Sequence, residues 1–116
     1  MKIYYITLNT SQEAQQISHA LLEQKLALCT NWFPITCAYL WQGKIVEEAE
    51  TVLIVKTQSG YRAEIEEVIG KYITYNNFIA ELAPESVNEG FLKWLNAEVV
   101  AKPYGSNIGL PPLGYQ

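Results

Sequence analysis

Between Cys29 and Thr57 the chain reads CTNWFPITCAYLWQGKIVEEAETVLIVKT, two runs rich in β-branched and aromatic residues on either side of Gln42-Gly43. A glycine-containing dipeptide between two such runs is the pattern of long strands folding back through a tight turn. One long hairpin is therefore expected, its first arm carrying Trp32, Phe33, Ile35, Tyr39 and Trp41 and its second running from Ile45 to Lys56. The second arm ends in the unbroken apolar run Val52-Leu53-Ile54-Val55, which sends apolar side chains to both faces of a sheet. A sheet with one wet face alternates apolar and polar residues, so this strand calls for cover above and below. Helices on one side leave the other face to a second copy of the chain or to the far part of a hairpin laid over a neighbour. The alternative within one chain is cover by the C-terminal tail or a short helix.

The rest of the chain supplies the other elements. Lys2 to Leu8 is a first strand, apolar on both faces and so central. Thr10 and Glu13 form a capping box, and Ala14, Ile17, Leu21 and Leu22, with small Ser18 among them, make the apolar stripe of a helix that runs to about Lys25. Beyond the hairpin, Ser59 is placed to cap a second helix whose stripe is Tyr61, Ile65, Val68, Ile69 and Tyr72. Arg62, Glu64, Glu66 and Glu67 form its solvated face. Phe78 to Ala83 reads as a fourth strand, and Asn88 caps a short helix with Phe91, Leu92, Leu95 and Val99 inward. The order is that of an α+β, ferredoxin-like βαββαβ sandwich with an extra C-terminal helix. Residues 1–100 form this domain, and 101–116 a Pro/Gly-rich tail whose Ile108, Leu110 and Leu113 favour docking over a neighbour.

Composition closes off several functions. A net charge of −4 without a basic cluster argues against nucleic-acid or anionic-membrane partners, because clustered Lys and Arg supply most phosphate affinity. No apolar run approaches the roughly 20 residues of a membrane span, and the N-terminus lacks the charged-then-apolar pattern of an export signal. A soluble, cytoplasmic protein is expected, with Cys29 and Cys37 reduced and read as small packing residues.

Three stretches carry a family resemblance: EAQQISHALLEQKLALCTNWFP from Glu13 to Pro34, WQGKIVEEAETVLIVKT from Trp41 to Thr57, and FLKWL from Phe91 to Leu95. In these, and in the gapless spacing of the first two, the chain resembles the CutA or divalent-ion-tolerance proteins. The resemblance implies a compact homotrimer of ferredoxin-like subunits and a role in tolerance of divalent metal ions, copper in particular. It covers most of residues 3 to 100. The family's metal chemistry rests on cysteine and on a His-Pro-Tyr-Glu segment before the fourth strand. Here that segment is Ile73-Thr74-Tyr75-Asn76, and only the tyrosine remains. Ile6 stands where some members carry a first cysteine, whereas Cys29 keeps the one that follows the first helix. The family's Pro-Gly reads Pro34-Ile35 here, and the tail runs beyond the usual end. A degenerate metal site follows.

Copper or zinc favours converging imidazole and thiolate donors, yet the one histidine, His19, lies well round the first helix from its apolar stripe. The metal-donor candidates are Cys29, Glu48 and Glu50, the two carboxylates sharing a strand face at period two. Three-fold related in a trimer, such carboxylates could collect copper or another divalent cation; the alternative is a solvated acidic rim. Lys44, Lys56 and Tyr75 are the candidates for a cleft binding a small anionic ligand, as in the PII-type signalling trimers of similar sandwich. Trp32, Tyr39 and Trp41 are the expected trimer contacts, Trp41 central. No base stands beside a nucleophile in the sequence, so catalysis is not expected, and a purely structural oligomer is the remaining alternative.

Overall fold

The computed structural model describes residues 1–102; the tail expectations fall almost wholly outside the described residues. Seven elements follow in order: β1 (Lys2–Leu8), α1 (Ser11–Glu23), β2 (Cys29–Trp41), β3 (Lys44–Thr57), α2 (Arg62–Tyr72), β4 (Ile79–Leu82) and α3 (Glu89–Glu98). The strands form one antiparallel sheet in the order β2-β3-β1-β4. This is the expected α+β, ferredoxin-like arrangement. Strand β2 lies at an edge, where Pro34 is tolerated because an edge strand need not donate every N–H.

The hairpin turns through Gln42 (φ 51°) and Gly43 (φ 80°). Two consecutive positive φ values make a turn whose twist matches the flanking strands. Trp41 therefore pairs with Lys44, and each step back along the arms pairs the next two residues, to Cys29 with Lys56.

Residues of one parity build the core. Tyr4, Ile6 and Leu8 on β1 and Leu53 and Val55 on β3 are buried together with Ala14, Ile17 and Leu21 of α1 and Ile65, Val68 and Ile69 of α2. Burying one Leu or Ile side chain in this way contributes about 1.5–3 kcal/mol. Helix α3 adds Leu95 and Val99 to the same core and is tied to the end of β3 by Gln58, whose side-chain amide donates to Asn96 Oδ1 at 2.9 Å.

The helix ends carry their own explanations. Thr10 Oγ1 accepts the Glu13 N–H at 3.1 Å while Glu13 Oε1 accepts the Thr10 N–H at 3.3 Å, the expected capping box. At the other end Lys25, at φ 58°, lets the Leu26 N–H reach back to the Leu21 carbonyl at 2.9 Å and its own N–H to Leu22 at 3.0 Å. That is a Schellman ending with a lysine at the position glycine usually fills.

Three boundaries differ from the sequence reading. Helix α2 is preceded by Tyr61, not capped by Ser59, because Gly60 at φ 96° prolongs the turn and Tyr61 is drawn into the core, its hydroxyl donating to the Val100 carbonyl. Tyr72 at its far end is exposed. Strand β4 is shorter than Phe78–Ala83, ending where β1 ceases to offer partners beyond Ile3 and Leu82. Asn88 is the N-cap of α3 by position, but its side chain makes no capping bond.

The hairpin outruns the rest of the sheet. The β1–β3 pairing stops at Leu8 and Thr51, whereas β2 and β3 continue for seven more pairs, from Ile35–Glu50 to Trp41–Lys44. At about 3.3 Å per residue this two-stranded ribbon projects roughly 23 Å past the sheet. Its two faces are unlike. Thr36, Ala38, Leu40, Ile45, Glu47 and Ala49 are all exposed, while Ile35, Cys37, Tyr39, Val46 and Glu50 on the opposite face are partly covered.

Candidate functional site

The partly covered face of the ribbon meets the loop between α2 and β4, and the two enclose an open groove of about 590 Å³. One wall is Cys37, Tyr39, Trp41, Glu48 and Glu50; the other is Thr7, Asn9 and Tyr75 to Phe78. Parity explains the first wall. In a two-stranded ribbon, odd residues of β2 and even residues of β3 share a face, so Cys37 lies directly opposite Glu48.

The second wall is pinned to the sheet by short bonds. Thr7 N–H donates to the Phe78 carbonyl at 3.0 Å, Phe78 N–H to Thr7 Oγ1 at 3.2 Å, and Asn77 Nδ2 to the Thr7 carbonyl at 3.0 Å. Tyr5 meets the Phe78 ring edge-on, with centroids 6.2 Å apart. Tyr75 is held from a third direction: its hydroxyl donates to Glu13 Oε1 at 2.7 Å and accepts the Asn9 N–H at 2.8 Å. The start of α1 therefore fixes the loop that forms the groove.

The electrostatics of the groove are one-sided. Glu48 and Glu50 are the charged side chains lining it, and among the described residues neither Lys nor Arg does. Tyr39 donates its hydroxyl hydrogen to Glu48 Oε1 at 2.6 Å, and this bond, followed by partial desolvation, raises the phenol above its ordinary pKa. The Cys37 thiol is pushed up as well, first by desolvation and then by the Glu50 carboxylate beside it. Burial and the bond to Glu13 raise Tyr75 further, against a smaller opposing effect of the Asn9 N–H. All three groups stay protonated at neutral pH, leaving two carboxylates to set the field.

The expected site residues are only partly brought together. Glu48, Glu50 and Tyr75 meet at the groove. Cys29 does not join them within one chain: it pairs with Lys56, eight residues along β3 from Glu48, or roughly 26 Å of strand. The thiol beside the carboxylates is Cys37. Lys56 lies at that same far end, its Nζ 5.7 Å from the centre of the Phe91 ring, and Lys44 sits at the ribbon tip outside the groove, so neither converges with Tyr75. Among the described residues no three His, Cys, Asp or Glu side chains are grouped to hold a metal ion. His19 is exposed on α1.

The three aromatic residues expected at a subunit boundary divide between faces. Trp32 pairs with Leu53 and shares its helix-side parity, whereas Tyr39 and Trp41 belong to the groove. The sequence reading missed Cys37, Asn9, Thr7 and Phe78 as groove residues. For Cys37 a signal existed, since a two-residue loop at Gln42-Gly43 already sets Cys37 against Glu48.

A four-stranded antiparallel sheet with α1 and α2 on one face, and an open acidic groove beyond the end of β1, defines the class: a ferredoxin-like α+β sandwich whose hairpin outruns its sheet. The chain belongs to the CutA1 divalent ion tolerance protein family, whose model matches residues 2–98. It is 38% identical over 96 residues to the divalent-cation tolerance protein CutA of Archaeoglobus fulgidus, the match covering 82% of this chain and 94% of that one. It is 32% identical over 111 residues to mouse Protein CutA, covering 92% of this chain and 61% of the mouse protein, so it spans about three fifths of that relative. Among solved structures, the periplasmic divalent cation tolerance protein CutA from Archaeoglobus fulgidus superposes with a TM-score of 0.79 at 36% identity, covering 84% of this chain and 98% of that one.

Proposed function

We propose that this chain is the subunit of a homotrimer that serves divalent-cation tolerance by binding a ligand in its groove, without catalysing a reaction. The observation that carries the reading is the ribbon. A two-stranded hairpin is marginal by itself in water, and this one holds a bare face with Leu40 74% and Ile45 77% exposed opposite each other. Thr36, Ala38 and Ala49 on the same face are small enough for another backbone to approach closely. A second copy of the chain is the fitting cover, with Trp32 at the sheet edge joining the contact.

Binding is favoured over catalysis by the state of the nucleophiles. Cys37 faces the groove as a protonated thiol beside carboxylates that disfavour its ionisation, and the single imidazole is on the outer face of α1. A copper site would need donors from more than one subunit, given the separation of Cys29 from Glu48 and Glu50. With only Tyr75 left of the family's His-Pro-Tyr-Glu segment, the role in tolerance is read as indirect, with a degenerate metal site.

Native mass spectrometry of untagged protein, with copper and zinc titrated by calorimetry on the same sample, tests both parts. The expected result is a trimer without micromolar copper or zinc affinity. A monomer at low micromolar concentration overturns the assembly, and tight stoichiometric copper binding overturns the degenerate site.

A further inference from the structure

The chemistry of the groove selects a kind of ligand. Its charged groups are two carboxylates two residues apart on one strand, which places their Cα atoms about 6.6 Å apart. Tyr39 donates to one oxygen of Glu48 and leaves the other open, and Asn77, whose amide nitrogen donates to the Thr7 carbonyl, keeps its side-chain oxygen as an acceptor. The two carboxylates are therefore the charged acceptors that a ligand would meet. Around them stand the rings of Tyr39, Trp41 and Phe78, of which Trp41 is 62% exposed and Phe78 57% in the single chain.

Negative charge together with open aromatic faces suits one class of partner. A ring face carries the negative end of its quadrupole, and an ammonium or guanidinium group is attracted to it and to a carboxylate at once. A small anion would meet two like charges and no lysine or arginine among the described lining residues. A bare divalent ion would find no set of three convergent donors there. The volume, about 590 Å³, is within the range of small-molecule sites.

We propose that the groove binds a small organic cation carrying a primary ammonium or guanidinium group, held by Glu48 and Glu50 and stacked against Trp41. This rests on the reading of the groove as the ligand site, and replaces the expected anion with a ligand of opposite charge. Glu48 and Glu50 form the charged contact, and Trp41 with Phe78 lines the apolar part of the cation.

Agmatine, which carries both an ammonium and a guanidinium, is the probe, with adipate as the matched dianion, both titrated by calorimetry into wild-type protein, E48Q/E50Q and W41L. The expected result is agmatine binding at about millimolar or tighter, no adipate binding, a loss of about tenfold or more in E48Q/E50Q, and a several-fold loss in W41L. Circular dichroism melts establish that each variant is folded. Absence of agmatine binding by folded wild-type protein at about 10 mM overturns the proposal, as does undiminished binding by folded E48Q/E50Q or equal binding of adipate. Particle mass and copper and zinc titrations on the same samples separate the two readings. A trimer that does not bind agmatine sinks the organic-cation assignment alone, and a monomer that binds it sinks the assembly alone.

Discussion

The Tyr75 hydroxyl donates to Glu13 Oε1 at 2.7 Å, joining the loop before β4 to the first turn of α1 across 62 residues of chain. Glu13 Oε1 also accepts the backbone N–H groups of Asn9, at 3.1 Å, and Thr10, at 3.3 Å, so one carboxylate oxygen both caps the helix and holds the groove wall. Tyr75→Phe leaves the capping bonds and removes the tether to Glu13 together with the bond the hydroxyl accepts from the Asn9 N–H, which keeps Glu13 Oε1 as an acceptor. A hydrogen bond to a charged acceptor contributes about 1.5–3 kcal/mol, and partial exposure lowers this to about 1–2 kcal/mol here. Thermal melts should register that loss, and a variant melting like wild type would show that the tether carries no stability.

The same tyrosine sets an alkaline limit. Tyr75 and Tyr4 are both raised from 10.0, chiefly by burial and then by bonds to Glu13 and to Glu81, the latter at 2.8 Å. Their folded forms keep the proton at pH values where the unfolded chain releases it. Stability from this source is complete below about pH 10 and declines as pH rises above it, since the unfolded state then binds fewer protons. Melting temperature measured from pH 8 to 11.5 should fall increasingly beyond pH 10, less steeply in Tyr75→Phe. An identical slope in that variant would remove Tyr75 from the account.

Thr57 is fully buried and donates to the Leu26 carbonyl at 2.7 Å, closing the connection between α1 and β2 against the end of β3. Thr57→Val keeps the shape and strands that carbonyl, at a cost of about 1–3 kcal/mol by urea denaturation. Thr57→Ser, which restores the hydroxyl, should recover part of it.

Lys25 offers a gain. A non-glycine residue at φ 58° crowds its own Cβ, and Lys25→Gly relieves that at a helix end already closed by two backbone bonds. The expected stabilisation is about 0.5–1 kcal/mol, partly offset by the freer unfolded chain. A lower melting temperature would mean that the lysine stem contributes packing that outweighs the strain.

Leu40→Ser with Ile45→Ser removes the apolar pair from the bare face of the ribbon. Light scattering across a dilution series should show dissociation at protein concentrations at least about tenfold higher than for wild type. Trp41→Ala, altering the groove face, should shift dissociation less. The reverse ranking would move the assembly contact to the groove face.

Local rules made much of this fold readable in advance. Strand β1, the Gln42-Gly43 turn, the capping box at Thr10 and Glu13 and the apolar stripe of α1 each depend on residues within one or two turns of one another. Alternation and helical spacing report them directly. The α2 boundary was less legible because Tyr61 takes its position from a bond to Val100, 39 residues away, and not from Ser59 beside it.

The sequence by itself determined the elements, their order and therefore the sandwich, since hydrophobic periodicity and turn chemistry are properties of short stretches. Only the tertiary structure decided the site. Which thiol meets Glu48 and Glu50 depends on strand pairing, which brings Cys37 in and leaves Cys29 about 20 to 26 Å of strand away. Whether Lys44 or Lys56 meets Tyr75 depends on where the ribbon outruns β1 and where the 75–78 loop is pinned to Thr7. Those distances are set by contacts between residues remote in sequence, and no local pattern encodes them.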